Sequence, residues 1–148
     1  MRIMGVYELV RETYVLLQMA VVRALDPLGL RVEEYNVLSL LADAGELRMS
    51  VVAQRTLSDD STTTRVVDSL VERGLAHRRR ADDDRRVRLV EITASGRRIL
   101  GHAERAREHA VAAALAPLEE RTIERMTGSL EAARDALQNT LRRGGRDG

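Results

Sequence analysis

The chain has 148 residues, 44% of them hydrophobic and 32% charged, with only two Pro, which describes one soluble, mostly helical domain able to bury a real core. The aromatic residues are three Tyr with no Phe or Trp, so the core falls to Leu, Val and Ala. Cysteine is absent, which excludes disulfides, thiolate metal sites and thiol redox chemistry, and the net charge is only +1 although all 24 basic residues are Arg.

The periodicity predicts a first helix from about Val6 to Leu25, apolar over more than half its circumference. Tyr7, Val10, Tyr14, Leu17 and Val21 form one stripe, with Val15, Leu16, Met19 and Val22 around it. Asp26-Pro27 ends it, and Leu28-Gly29-Leu30 reads as a turn. A second helix is expected from Val32 to Ala42, with Tyr35, Leu38 and Leu41 inward, and Asp43-Ala44-Gly45 breaks the chain again. Ser50 to Thr56 makes a short helix.

Ser58 or Asp59 caps the next helix, expected at Asp60 to Arg73 and stopped by Gly74. Thr63, Val66, Val67 and Leu70 share its inner face, while Ser61, Thr62, Thr64 and Arg65 point outward near its start. Two β-prone runs, Leu75–Arg80 and Val87–Ile92, flank a tip from Ala81 to Arg86 made almost wholly of Asp and Arg. Thr93 caps a long helix to about Leu115, and Pro117 interrupts it. The last helix is expected from Leu118 to Arg142, with Ile123, Met126, Leu130, Ala133, Leu137 and Leu141 on one seam, ahead of a frayed tail at 144–148.

A helix faced with hydroxyls and one Arg, followed by a charged hairpin, suits a groove of B-DNA. The pattern is that of a mainly α protein: a winged helix-turn-helix lobe at 31–93 with a two-stranded β wing, flanked by dimerisation helices at 1–30 and 94–143. Charge follows the same division. Residues 1–47 hold four Arg against seven acidic residues, residues 48–100 twelve against eight, and residues 101–148 eight against eight. The basic excess therefore sits on the expected DNA module. One such module reads only a few base pairs. The long flanking helices carry more apolar surface than a lobe of this size covers, and a second copy is the simplest cover. A twofold dimer would set two reading helices about 34 Å apart, one turn of B-DNA, on a pseudo-palindromic site.

Two blocks carry a family resemblance. Asp84-Arg85-Arg86 followed by Ile92-Thr93-Ala94-Ser95-Gly96 resembles the D-x-R and L-T-x-x-G signatures of the MarR (multiple antibiotic resistance regulator) family of bacterial transcription factors. The run T-R-V-V-D-S-L-V-E-R-G-L at 64–75 resembles that family's T-R-L-V-D-R-L-x-x-x-G-L, and Leu28-Gly29-Leu30 its L-G-L. The resemblance spans nearly the whole chain. It implies that Arg86 enters the minor groove, that Asp84 orients it, and that Ser61, Thr62, Thr64 and Arg65 meet the major groove. Arg65 could fork onto guanine O6 and N7. Arg79 and Arg85 are expected at phosphates. Thr63 stands where the family has an aliphatic, and Ala81 where Pro is common.

The resemblance further implies a homodimeric repressor of nearby genes, released by a small-molecule effector whose identity the sequence leaves open. Its lack of Cys and Trp argues against the family's peroxide-sensing branch and its urate-type pocket. An effector-independent regulator and a helical protein–protein adaptor are the alternatives. Each residue also has a plainer reading. The wing Arg residues could serve only a solvated hairpin paired to Asp82, Asp83 and Asp84, in surface ion pairs worth little. Asp59 and Asp60 read as capping groups. The Tyr residues read as core or interface, and His77, His102 and His109 as surface groups. No cofactor or metal is expected: His102 and His109 lie about 10.5 Å apart along a helix, and residues 82–84 lack the alternation of a calcium loop. No nucleophile motif or phosphate-binding Gly loop suggests an enzyme. The apolar run Val15–Val22 is too short to cross a bilayer, so a cytoplasmic protein is expected.

Overall fold

The computed structural model describes residues 2–144, which fall into two compact units, Met1–Val111 and Ala112–Gly148. The first opens with helix α1 (Arg2–Leu25) and a 3-10 turn at Asp26–Leu28 that carries Pro27. Helix α2 (Val32–Ala44), strand β1 (Leu47–Arg48), helix α3 (Met49–Thr56) and helix α4 (Asp60–Glu72) follow. Strands β2 (Ala76–Arg80) and β3 (Arg88–Ile92) form the hairpin, and α5 (Ala94–Leu115) continues from it. Helix α6 (Glu120–Gly144) makes up most of the second unit. This mainly α, winged helix-turn-helix architecture is the one the sequence predicts, with α1 starting at Arg2 rather than Val6 and α6 at Glu120 rather than Leu118. Of the tail expected to fray, Gly144 closes α6 and residues 145–148 lie outside the described residues.

The two-stranded wing is β2 and β3, as expected, and a further short strand joins it, giving a three-stranded sheet in the order β1-β3-β2. Leu47 pairs with Val90 and Arg48 with Leu89, both antiparallel. A two-residue strand leaves no alternation to detect, and the following helix begins at the very next residue. Its effect is to fasten the start of α3 to the root of the wing.

The core lies where α2, α3, α4 and the sheet meet. Leu38, Leu41, Val52, Val67, Leu70 and Val90 are fully buried there, with Leu25 from α1 and Leu100 and Ala103 from α5 closing it. Among its described side chains helix α1 contributes only Val21 and Leu25 to the buried set, while Tyr7, Val10, Tyr14, Leu16 and Met19 stay exposed. On α6, Leu130, Leu137 and Leu141 are likewise exposed. Of the three Tyr, only Tyr35 is buried, under the Arg107 guanidinium 5.5 Å from its ring centre.

The turn from α4 into the wing is tightly specified. Gly74 has φ +67, and its N–H donates to the Val71 carbonyl while the Leu75 N–H donates to the Leu70 carbonyl, the paired bonds of a Schellman stop. The Leu75 carbonyl in turn accepts from the Thr93 N–H at 3.1 Å, and the Thr93 hydroxyl donates to the Gly74 carbonyl at 2.7 Å while accepting from the Gly96 N–H at 3.0 Å. Gly96 is packed hard against this turn. A Cβ there would overlap the Leu75 carbonyl oxygen and lie 2.7 Å from Ile92 Cγ1. The T-x-x-G signature is thus a joint between three elements.

Gly96→Ala is expected to destabilise the protein by about 1–3 kcal/mol, because neither backbone nor Ile92 can yield without breaking the joint. Urea unfolding should show the midpoint falling at unchanged m-value; an unchanged midpoint would show that the turn is not constrained there.

Candidate nucleic-acid interface

Helix α4 is capped by Asp59, not Ser58. Its carboxylate accepts the Thr62 N–H at 2.6 Å and the Thr62 hydroxyl at 3.1 Å. These bonds, the amide first, hold the Asp59 carboxyl below its ordinary pKa. Thr62 is therefore occupied in the cap and half-buried, apart from the outward stripe. Ser61, Thr64 and Arg65 are exposed and, with Asp68, follow the i, i+3, i+4, i+7 spacing of one helix face. Thr63, at the position where an aliphatic is usual, is 2% exposed. Its hydroxyl donates to the Asp59 carbonyl at 2.9 Å, so the polar atom is satisfied inside the helix's first turn.

Beside this face a cleft of about 570 Å³ separates α4 from the wing. Its walls include Arg48, Ser50, Thr64, Arg78, Arg86 and Arg88. Strand alternation sorts the wing's charges between two sides. Arg78 turns toward α4, where Nη1 sits 2.6 Å from Asp68 Oδ1 as a close charge pair without the alignment of a hydrogen bond. Arg79 turns the other way and forks onto Glu46, with Nε and Nη2 each 2.8 Å from a carboxylate oxygen, and with Asp82 3.5 Å away. The Glu46 bonds foremost raise the already high Arg79 pKa. Arg79 is thus outside the cleft and already neutralised.

At the tip, Ala81 is buried and its N–H donates to the Val87 carbonyl, while the Val87 N–H donates to the Asp84 carbonyl. Asp84 Oδ1 accepts the Arg86 backbone N–H at 2.9 Å, so it shapes the turn that carries Arg86 and does not touch the guanidinium. Arg85 and Arg86 are exposed. Among the described residues Arg80, Arg85, Arg86 and Arg88 make no ion pair. The plain reading of a self-neutralised wing therefore fits Arg79 and Asp82 alone. The structure brings Thr64 and Arg86 to one cleft, with Ser61 and Arg65 on the adjoining α4 face, and leaves Thr62 and Arg79 elsewhere.

Sequence reasoning passed over Arg48 and Ser50 at the start of α3, and Glu34 behind α4. The last is the buried carboxylate that sets α4 in place. Only 2% exposed, it accepts from the Arg31 N–H at 3.0 Å, the Ser69 hydroxyl at 2.7 Å and Arg73 Nη1 at 3.0 Å, with Arg31 Nη2 3.5 Å away. Burial alone would raise its pKa. The Arg31 amide, the Ser69 hydroxyl and the charges of Arg73 and Arg31 together outweigh burial and lower it. A Glu three residues after an N-cap position was the available sign, although a capping Glu is rarely also a bridge to a distant helix.

A model of the MarR family matches residues 28–87. No curated protein sequence matches the chain. Among solved structures, CouR from Rhodococcus jostii RHA1, bound to p-coumaroyl-CoA, is 31% identical, with 84% of this chain and 88% of that one aligned and a TM-score of 0.69. A MarR-family transcriptional regulator from Rhodococcus sp. RHA1 is 29% identical over 87% of this chain and 91% of that one, with a TM-score of 0.76. Wild-type MarR from E. coli, at 19% identity and a TM-score of 0.81 over 85% of this chain and 93% of that one, shows the same fold. The fold and the cleft beside α4 define a winged-helix transcriptional regulator. The chain belongs to the MarR family.

Glu34 makes a pH-dependent contribution. Its pKa is lower in the folded protein, so the stabilisation is full above the ordinary value of 4.5 and is lost as pH falls through the depressed one. Glu34→Gln is expected to cost about 1–3 kcal/mol at neutral pH and to flatten the loss of stability in acid. Thermal melts from pH 7 to pH 3 would check it, and parallel curves for both proteins would contradict it.

Proposed function

We propose that the protein is a homodimeric, sequence-specific reader of duplex DNA that represses nearby genes and is released by a small-molecule effector. The observation that carries this reading is the α4 face of Ser61, Thr64 and Arg65 set beside a cleft holding four guanidiniums. Helix α4 lies in the major groove, where Arg65 forks onto a guanine and the hydroxyls meet phosphates or a thymine methyl. Arg86 reaches the neighbouring minor groove, whose negative potential favours a guanidinium, and Arg85 beside it meets a phosphate. Thr62 serves the cap, Asp84 the turn, and Arg79 the wing's own pairing with Glu46.

The dimer is supported by apolar residues that the chain leaves exposed on α1 and on α6, each within its own unit. Twofold symmetry then makes the operator a pseudo-palindrome. An effector is supported by the family and by the p-coumaroyl-CoA bound to CouR. It releases DNA only through a higher affinity for a dimer whose reading helices are wrongly spaced. The site of action is the cytoplasm; among the described residues no helix is long and apolar enough to cross a membrane. An adaptor that has lost DNA binding is disfavoured by Arg85, Arg86 and Arg88, which make no ion pair among the described residues.

Two substitutions separate the roles. Arg86→Ala is expected to weaken binding to all sequences and to lower the slope of log K against log salt by about 1 per subunit. Arg65→Ala is expected to cost about 1–3 kcal/mol at the preferred site and to relax one base preference. Site selection from random duplex DNA and gel shifts at varied salt measure both. A wild-type protein that ignores every duplex at low salt, or sediments as a monomer at micromolar concentration, would end this reading.

A further inference from the structure

Asp60, in the first turn of α4, carries a carboxylate that no other side chain engages among the described residues. The cap does not need it. Asp59 alone supplies both oxygens that take the Thr62 N–H and hydroxyl. We propose that Asp60 is a base-reading residue whose carboxylate accepts a hydrogen bond from the N4 amino group of a cytosine in the major groove. The inference rests on the proposed function and adds a specificity-determining residue to its reading face.

Its position suits the role. Two hollows flank the outer face of α4, the cleft toward the wing and a second one bordered by Ser61 and Arg65. Asp60, Thr64 and Asp68 border both, so at spacing i, i+4 and i+8 they form the crest between them. Asp68 is drawn to Arg78 at 2.6 Å, whereas the exposed Asp60 leads the crest by one turn. The leading residues of a reading helix are those that meet base edges. The chemistry then selects the base. A carboxylate only accepts hydrogen bonds. In the major groove guanine offers the acceptors N7 and O6, thymine the acceptor O4 beside a methyl group, and adenine a donor next to the N7 acceptor. Cytosine alone offers a donor with no acceptor on the same edge. The negative charge is repelled by every phosphate, and at the right base the hydrogen bond offsets that repulsion. On wrong sequences nothing does, so the same group favours one site and weakens the others.

The test takes the full-length wild type, Asp60→Asn and Asp60→Ala through site selection from random duplex DNA, gel shifts at low and high salt, and thermal melting. Asp60→Asn is expected to change the selected base from cytosine to adenine at one position of each half-site, because an amide can accept from N6 while donating to N7. Asp60→Ala is expected to relax the cytosine preference there by about fivefold or more. Both variants should bind non-cognate duplex more tightly than wild type, most of all at low salt, since a repulsion has been removed. Tighter binding to every sequence with an unchanged motif would overturn the inference, leaving Asp60 a repulsive charge and nothing more. A lower melting temperature with an unchanged motif would equally overturn it, by reducing Asp60 to a partner of the helix dipole. In either case the DNA-binding reading survives. If wild type binds no duplex at low salt, both readings fail together.

Discussion

The relation of α4 to the wing rests on one crowded joint, where the Leu75 carbonyl meets the start of α5. Gly74 lets α4 stop in a left-handed turn, Leu75 re-enters the core, and Thr93 closes both chains of the wing root with three hydrogen bonds. Gly96 completes it by having no side chain where Leu75 and Ile92 already fill the space. Because the end of α4, both strands of the wing and the beginning of α5 share this point, the wing cannot swing independently of α4. The width of the cleft between them is set by backbone packing and not by the long side chains that line it.

Orientation of α4 is set from the other side by charge. Glu34 joins the first turn of α2 to Ser69 and Arg73 at the far end of α4. Such a buried carboxylate is stabilised only when its partners are all in place; without one of them it is a liability. The same logic divides the Arg residues. Arg73, Arg78 and Arg79 have carboxylate partners within the fold and stiffen it, whereas Arg48, Arg65, Arg86 and Arg88 have none among the described residues. A net charge of +1 therefore conceals a surface on which uncompensated cations lie along one side of the winged-helix lobe.

Most of this fold was legible in the sequence because its signals are local. The cap before Asp60, the stop at Gly74, the break at Pro27 and the inward set Thr63, Val66, Val67 and Leu70 each lie within one or two helical turns of the residues they act on. What escaped was long-range or too short. Glu46 reaches Arg79 across 33 residues and Glu34 reaches Arg73 across 39, and no periodicity links such pairs. Strand β1 has two residues, below the length at which alternation exists. In sequence Thr62 looks like an outward residue, because a cap partner and a surface hydroxyl are alike until the Asp59 carboxylate is seen bonded to it.

Ser61, Thr64 and Arg65, on one exposed face of α4, are a small vocabulary. If Arg65 makes one bidentate contact, it supplies about 1–3 kcal/mol of discrimination, far short of what selects one operator against the 10⁶–10⁹ competing sites of a genome. A single subunit of this design is mainly an electrostatic binder. On the proposed dimeric reading, specificity of useful size comes from using the same three side chains twice at a fixed spacing, which would place the burden on the exposed apolar residues of α1 and of α6. On that reading the exposed apolar surface of each unit would be part of the reading apparatus. A molecule that changes how two copies meet would alter specific binding strongly and non-specific phosphate binding weakly, without touching any residue that contacts a base.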